Sequence, residues 1–139
     1  MSRLWELCTD GKLAEVRAAL GRGEDVNEKG LLGTTALMRA VLKKHNSIVK
    51  LLLDQPAVDV NVKSNAGWTA LHYAAWLNNA EGARMLLLHK DFNSFNVTGN
   101  FGDTALMIAV INENEEVLRE LVKHQRVGLD VGILEGDQR

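Results

Sequence analysis

Apolar residues in this chain fall into short stripes with the spacing of an α-helix, and the stripes come in pairs. In the clearest pair, Leu37, Ala40 and Val41 occupy positions i, i+3 and i+4, on one face of a short helix. Polar residues at 43–46 interrupt the pattern, and a second apolar face follows at 48–53. The same pairing recurs in three other stretches, residues 4–20, 71–87 and 106–122. The pattern therefore predicts four pairs of helices.

A repeated tripeptide has the same period as the helix pairs. Thr-Ala-Leu begins at Thr35, Thr69 and Thr104, which are 34 and 35 residues apart, and a glycine stands two residues before each threonine. An Asp-Val doublet recurs in phase with it, at 25–26, 59–60 and 130–131. These motifs predict a single domain of four repeats, at about 2–29, 30–63, 64–98 and 99–131, with a frayed tail at 132–139.

The third repeat carries the most specific sequence. Gly-Trp-Thr-Ala-Leu-His-Tyr-Ala-Ala at 67–75 resembles the ankyrin-repeat signature Gly-x-Thr-Pro-Leu-His-x-Ala-Ala, and Asp-Val-Asn at 25–27 and 59–61 resembles the turn that ends ankyrin repeats. The resemblance extends over nearly the whole chain, from residue 2 to residue 131. It implies an all-α repeat solenoid of helix–turn–helix pairs with β-turn fingers, at about 33 residues per repeat.

The departures from the ankyrin signature affect the turns before the first helices. Alanine replaces the signature proline at 36, 70 and 105, which keeps the helix but loses a residue with a preset helical φ. In the family the signature histidine supports hydrogen bonds in the turn; His72 retains it, whereas Met38 and Met107 replace it. We therefore expect the turns of repeats two and four to be less tightly tied. Thr35 and Asn46 are the expected N-caps in repeat two.

Composition and charge disfavour several classes of function. The chain has 139 residues, with 16 Lys and Arg against 18 Asp and Glu, and its formal net charge of −2 argues against binding to nucleic acid. No apolar run approaches the ~18 residues of a membrane span, and the first residues lack the apolar core of a signal peptide. We therefore expect no membrane association and a cytoplasmic location, with the nucleus as the alternative compartment.

The residues that could carry catalysis or metal binding lack suitable partners in the sequence. The four histidines, at 45, 72, 89 and 124, show no metal-ligand spacing. Cys8 is the only cysteine, so an intramolecular disulfide and a cysteine-based zinc site are excluded. It falls on an apolar helical face, and we interpret it as buried packing rather than as a nucleophile. We expect no cofactor, no metal and no enzymatic activity.

The resemblance to ankyrin repeats also implies a binding surface, the concave face formed by the fingers and the exposed side of the first helices. Its variable positions are normally polar, but here many are aliphatic or aromatic, and exposed apolar patches mark interaction sites. The candidate binding residues are Leu31, Leu32, Thr34, Leu42, Asn65, Trp68, Trp76, Leu77, Asn100, Phe101, Asp103, Ile111 and Asn112. The alternative interpretation is that Trp68 and Trp76 pack on each other and only stiffen the array.

The sequence therefore predicts a non-catalytic, monomeric interaction module that holds a protein or peptide on its concave face. The alternative function is an inhibitory or regulatory subunit, which blocks an enzyme or a transcription factor with the same surface. A further prediction concerns Asn61, because Leu53, five intervening residues and Asp-Val-Asn resemble the motif that an asparaginyl hydroxylase modifies in ankyrin repeats. The alternative role of Asn61 is to hydrogen-bond the turn backbone.

Overall fold

The structure, a computed structural model that describes residues 3–124, is a row of short α-helices arranged in pairs. The helices are α1 (Leu4–Asp10), α2 (Leu13–Gly21), α3 (Ala36–Leu42), α4 (Asn46–Leu53), α5 (Ala70–Trp76), α6 (Ala80–Leu88) and α7 (Ala105–Ile111). Residues 115–124 are also helical and are called α8 below. A 3₁₀ turn spans Leu31–Gly33, and no β-strand occurs between residues 3 and 124. The tail predicted at 132–139 lies outside the described residues.

The helices stack in two layers. The first helices of successive repeats contact each other in the order α1, α3, α5 and α7, and the second helices contact each other in the order α2, α4 and α6. The two helices of a pair also contact each other: α1 contacts α2, α3 contacts α4, and α5 contacts α6. This arrangement confirms the all-α repeat solenoid that the sequence period predicts.

The core repeats the same residue types at the same positions. The first helices α3, α5 and α7 each carry a fully buried alanine, at Ala40, Ala74 and Ala109. The second helices α4, α6 and α8 each carry a fully buried leucine, at Leu52, Leu86 and Leu121. The small side chains let the first helices approach closely, and the leucines fill the space between the two layers. The apolar stripes of the sequence therefore face the core, as predicted, except that Val110 and Val122 in the fourth pair are 55% and 51% exposed.

One of the two predicted N-caps of repeat two is confirmed. The side-chain oxygen of Thr35 accepts a hydrogen bond from the backbone N–H of Met38 at 3.3 Å. The prediction for Asn46 is wrong, because His45 is the N-cap of α4 and Asn46 is already its first helical residue. The Asn46 side chain instead exchanges two hydrogen bonds with the side chain of Asn79 in the next repeat, at 3.0 and 2.9 Å. This amide therefore ties repeats together rather than ending a helix.

The turn before each first helix depends on the residue that replaces or retains the signature histidine. In repeat three, the backbone N–H of Thr69 donates to Nδ1 of His72 at 3.0 Å. In repeat two, the N–H of Thr35 reaches the sulfur of Met38 at 3.5 Å, and a thioether is a weak acceptor. Met107 makes no such contact within residues 3–124, and its side chain is exposed. The tie is thus weaker in repeats two and four, as expected.

Candidate binding face

Three fingers, at about 30–34, 64–68 and 99–103, connect the repeats and line one edge of the candidate face. Each is closed by a backbone hydrogen bond, and these bonds join Gly30 N to Thr34 O, Ser64 N to Trp68 O and Gly99 N to Asp103 O, at 2.7, 2.8 and 2.8 Å. The N–H of Asn65 donates to Leu32 O at 3.0 Å, and the N–H of Asn100 donates to Ala66 O at 2.9 Å. Successive fingers are therefore held in a fixed ladder.

The tip of the first of these fingers presents two leucines. Leu31 and Leu32 are 60% and 65% exposed, and Leu32 adopts a left-handed backbone with φ of 59°. Thr34 differs from the sequence expectation, because it is buried and its hydroxyl donates to Leu31 O at 2.7 Å. Its side chain therefore closes the turn and offers almost no surface to a partner.

Trp68 lies at the centre of an aromatic cluster that joins the third and fourth repeats. Its indole N–H donates to Oδ2 of Asp103 at 2.6 Å. Its ring is stacked on His72 with centroids 5.7 Å apart, and it meets Tyr73 and Trp76 edge-on at 5.1 and 5.6 Å. Edge-on aromatic pairs are stabilising at such distances. Trp68 and Asp103 are therefore committed largely to intramolecular contacts, as in the alternative interpretation, whereas Trp76 remains 48% exposed.

Asp103 has one carboxylate oxygen without a partner. Oδ2 accepts from the Trp68 indole, whereas Oδ1 is buried and has no hydrogen-bond partner among the described residues. Gly99 lies against this oxygen, because a Cβ added there would come within 2.7 Å of both Asp103 Oδ1 and the Trp68 ring. The finger at 99–103 therefore closes tightly over the carboxylate.

His72 bridges two repeats in a single tautomer. Its Nδ1 accepts from the N–H of Thr69, so the ring proton lies on Nε2, which donates to Asp103 O at 3.0 Å. The ring is buried, and this burial lowers the pKa of His72, although the hydrogen bond to Asp103 O partly opposes the shift. Burial therefore favours the neutral imidazole of His72 in the folded chain.

This environment of His72 makes folding stability depend on pH. Because the pKa of His72 is lower in the folded chain than its ordinary value of 6.5, the unfolded chain binds more protons once the pH falls below that value. We expect the contribution of neutral His72 to the free energy of unfolding to be complete above pH 6.5 and to decline as the pH falls toward the lower pKa of the folded chain. Urea denaturation at several pH values should show a steeper acid loss in the wild type than in His72→Gln. An identical pH dependence in both proteins would contradict the assignment.

The remaining candidate residues divide by exposure. Leu42 and Leu77 are partly buried, and the polar residues Asn65, Asn100 and Asn112 are exposed. Phe101 is 97% exposed at the tip of the finger at 99–103, and Ile111 is 77% exposed at the end of α7. We call the five exposed apolar residues the apolar band: Leu31, Leu32, Trp76, Phe101 and Ile111. Leu31 and Leu32 lie on the finger at 30–34 and Phe101 lies on the finger at 99–103, whereas Trp76 and Ile111 lie at the ends of the adjacent helices α5 and α7.

Two exposed residues of α7 were missed by the sequence reasoning. Met107 and Val110 are 50% and 55% exposed, whereas Met38 and Val41, at the equivalent positions of α3, are 2% and 0% exposed. In the earlier repeats this side of the first helix lies under the next repeat. The sequence contained a signal for these two residues, because Met107 and Val110 are apolar at positions where an earlier repeat has the buried apolar residues Met38 and Val41.

The other chemical candidates do not form a site. Cys8 is fully buried, and burial raises the pKa of its thiol to about 12, which confirms the interpretation as packing. No group of three or more potential metal ligands occurs between residues 3 and 124. In the same part of the chain, no helix has the length and apolar character needed to cross a membrane.

Asn61 joins the turns of repeats two and three. Its Nδ2 donates to Asp91 O at 2.9 Å, and its Oδ1 accepts from Asn93 N at 3.1 Å and from the hydroxyl of Ser94 at 2.7 Å. The predicted alternative role, hydrogen bonding to the turn backbone, is thus confirmed. Hydroxylation of Asn61 stays a prediction, and mass spectrometry of the chain from cells that contain the hydroxylase should find one added oxygen atom there; its absence would refute the prediction.

The comparison with protein families agrees with the geometry. A family model for ankyrin repeats in three copies matches residues 4–96, and a model for the single ankyrin repeat matches residues 101–133. The chain therefore belongs to the ankyrin-repeat family, whose members are generally protein-interaction modules.

Individual relatives share only part of their length with this chain. SMC5-SMC6 complex localization factor protein 1 of Mus musculus is 41% identical over 61 residues, which is 44% of this chain and 6% of that protein. BTB/POZ domain-containing protein 1 of Schizosaccharomyces pombe is 37% identical over 83 residues, 56% of this chain and 6% of that protein. Protein phosphatase 1 regulatory subunit 12A of Mus musculus is 44% identical over 55 residues, 40% of this chain and 5% of that protein.

Proposed function

We propose that this chain is a non-catalytic interaction module that holds a segment of a partner protein on its concave face. The observation that carries the proposal is the apolar band, because its five large side chains are 48–97% exposed although they lie on an ordered scaffold. Large apolar side chains gathered on neighbouring exposed elements favour protein binding. The ladder of fingers supports the same conclusion, since a rigid surface loses little conformational entropy on binding.

The composition of the chain complements this proposal. A net charge of −2 favours a partner held by apolar contact over one drawn in by long-range attraction, and it argues against nucleic acid as the ligand. We further propose that the module acts as an adaptor or scaffold, as a monomer, in the cytoplasm or the nucleus. Its one cysteine is a free, buried thiol, which suits a reducing compartment.

A peptide selection tests the proposed function directly. The full chain, immobilised, is panned against a displayed library of random dodecapeptides, and enriched peptides are synthesised and titrated into the wild type. We expect peptides rich in apolar residues to be enriched and to bind the apolar band. Failure to enrich any peptide, or enriched peptides that bind Trp76→Ala as tightly as the wild type, would contradict the proposal.

A regulatory subunit is the second candidate function. The similarity to a protein named as a phosphatase regulatory subunit favours it, although the matched region is only 5% of that protein. The two candidates differ in what binding does to the partner. Once a partner is identified, we expect its activity to be unchanged by saturating amounts of this chain if the module is an adaptor. Inhibition of that activity would favour the regulatory subunit.

A further inference from the structure

Arg39 on α3 is held in a fixed orientation by the first repeat. Its Nε donates to the hydroxyl oxygen of Thr9 at 3.0 Å, and Thr9 in turn donates to Trp5 O at 2.7 Å. The guanidinium carbon lies 5.7 Å from the centroid of the Trp5 ring, which is within the range of a cation–π contact. Trp5 itself packs against Gly30 at the base of a finger, where an added Cβ would come within 2.2 Å of its ring. The guanidinium is thus oriented before any ligand arrives.

The guanidinium of Arg39 also has N–H groups that donate no hydrogen bond to residues 3–124. Among residues 3–124, Arg3, Arg22 and Arg119 each form an ion pair with a glutamate, whereas no carboxylate lies within 4.0 Å of Arg39, as is also true of Arg17 and Arg84. Its two terminal nitrogens have no hydrogen bond in that part of the chain. A planar guanidinium with both terminal nitrogens free is suited to a carboxylate, which it can bind through two parallel hydrogen bonds.

Lys43 adds a second positive charge four residues after Arg39, at the C-cap of α3, where its backbone N–H donates to Arg39 O. It is exposed, and it has no ion pair within the described range. Like charges at positions i and i+4 of a helix repel each other, and a bound anion between them removes this cost. Arg39 and Lys43 therefore form what we call the anion subsite, two cations at the C-terminal end of α3 that have no ion pair among residues 3–124.

The anion subsite is one repeat away from the apolar band. Arg39 and Lys43 flank Leu42, whose equivalent positions in the next two first helices are Trp76 and Ile111. The helix α3 contacts α5, and α5 contacts α7. Packed helices lie about 8–10 Å apart, and an extended chain advances about 3.3 Å per residue. An extended ligand that crosses the first helices therefore moves about three residues from each repeat to the next.

We propose that Arg39 and Lys43 bind a carboxylate side chain of the partner segment, while apolar side chains of the same segment cover Trp76 and Ile111. The partner is thus an extended protein segment with an acidic residue about three positions from one apolar anchor and about six from a second. This inference rests on the proposed function, because it specifies which segment the same face takes. It also fixes the orientation of that segment, with its acidic end over repeat two.

The selection of dodecapeptides described above tests this inference when it is run in parallel on three proteins. On the wild type, we expect enrichment of Asp or Glu about three positions from an apolar pair. On Lys43→Glu, we expect the acidic position to be lost from the enriched peptides. Lys90→Glu is the matched control, because Lys90 is an exposed lysine in the loop after α6, away from the first helices, and it should retain the wild-type pattern.

Titration of one enriched peptide then measures the effect. We expect Lys43→Glu and Arg39→Gln each to weaken binding by about tenfold or more, and Lys90→Glu by less than about twofold. Replacing the acidic residue of the peptide by its amide should weaken binding to the wild type but not to Lys43→Glu, since the carboxylate introduced in that variant already offsets the charge of Arg39. Circular dichroism of each variant checks that it remains folded.

The outcomes separate this inference from the proposed function. If no peptide is enriched, the proposed function fails and this inference fails with it. If enriched peptides depend on Trp76 but contain no acidic residue, and Lys43→Glu binds them like the wild type, the binding module stands and the anion subsite is refuted.

Discussion

Leu52→Ala is expected to lower the free energy of unfolding by about 2–5 kcal/mol. Leu52 is 0% exposed near the C-terminal end of α4, which contacts α2, α3 and α6. Truncation to alanine removes most of the side chain and leaves a cavity between the two layers. In a solenoid each repeat is stabilised by its neighbours, so a cavity in repeat two weakens its interfaces with both repeat one and repeat three.

Urea denaturation followed by circular dichroism measures this loss. The matched control is Leu88→Ala, which makes the same chemical change at a position that is 67% exposed on α6. We expect the control to change stability by less than about 0.5 kcal/mol. A Leu52→Ala protein that unfolds at the wild-type midpoint would show that the side chain is not part of the core.

Trp76→Ala is expected to weaken binding of an enriched peptide by about 2 kcal/mol or more, roughly thirtyfold in affinity. Trp76 is the half-exposed member of the aromatic cluster, and it lies at the end of α5 between Leu42 and Ile111. Large aromatic side chains at the centre of an interface contribute more than their neighbours. Because half of its surface already faces solvent, its removal should leave the fold intact.

Trp68→Ala separates the structural tryptophan from the binding one. This change removes the hydrogen bond to Asp103 and the stacking on His72, so we expect a clear loss of stability together with any loss of binding. Isothermal titration calorimetry and denaturation of both variants distinguish the two roles. A Trp76→Ala protein with wild-type affinity would remove the main support for the apolar band.

The repeat architecture could be predicted from the sequence because its signal is redundant. The Thr-Ala-Leu tripeptide returns in phase with the apolar stripes, and residues such as Leu52, Leu86 and Leu121 fall at equivalent positions in every pair. The N-cap at Thr35 could be predicted from the sequence because its partner, the backbone N–H of Met38, is only three residues away. The role of Asn46 could not be predicted, because the partner of its side chain, Asn79, belongs to the next repeat.

The loop between the paired helices shows another limit of sequence reasoning. The left-handed residue of this loop is Gly11, Lys44, Asn78 or Glu113, with φ of 74°, 60°, 57° and 55°. Gly11 and, to a lesser degree, Asn78 are of residue types that favour a left-handed backbone. In the other repeats, packing of the two helices on either side imposes the conformation.

The candidate site could be predicted as a surface but not residue by residue. The sequence places Trp68 and Trp76 in similar variable positions, and it gives no reason to treat them differently. The difference comes from Asp103, which lies 35 residues after Trp68 in the sequence and accepts a hydrogen bond from its indole N–H. Arg39 was missed for a similar reason, since its orientation depends on Thr9 and Trp5 in another repeat. Contacts between repeats decide which side chains are free.

Methyl chemical-shift mapping of the peptide complex tests the central claim most directly. With isoleucine and leucine methyl groups labelled, an enriched peptide is titrated into the full chain. We expect the largest shifts at Ile111, Leu31 and Leu32, which belong to the apolar band. Leu88 is equally exposed but lies on α6, in the layer of second helices, and its signal should not move. Large shifts at Leu88 with unchanged signals from Ile111 would contradict binding at the concave face.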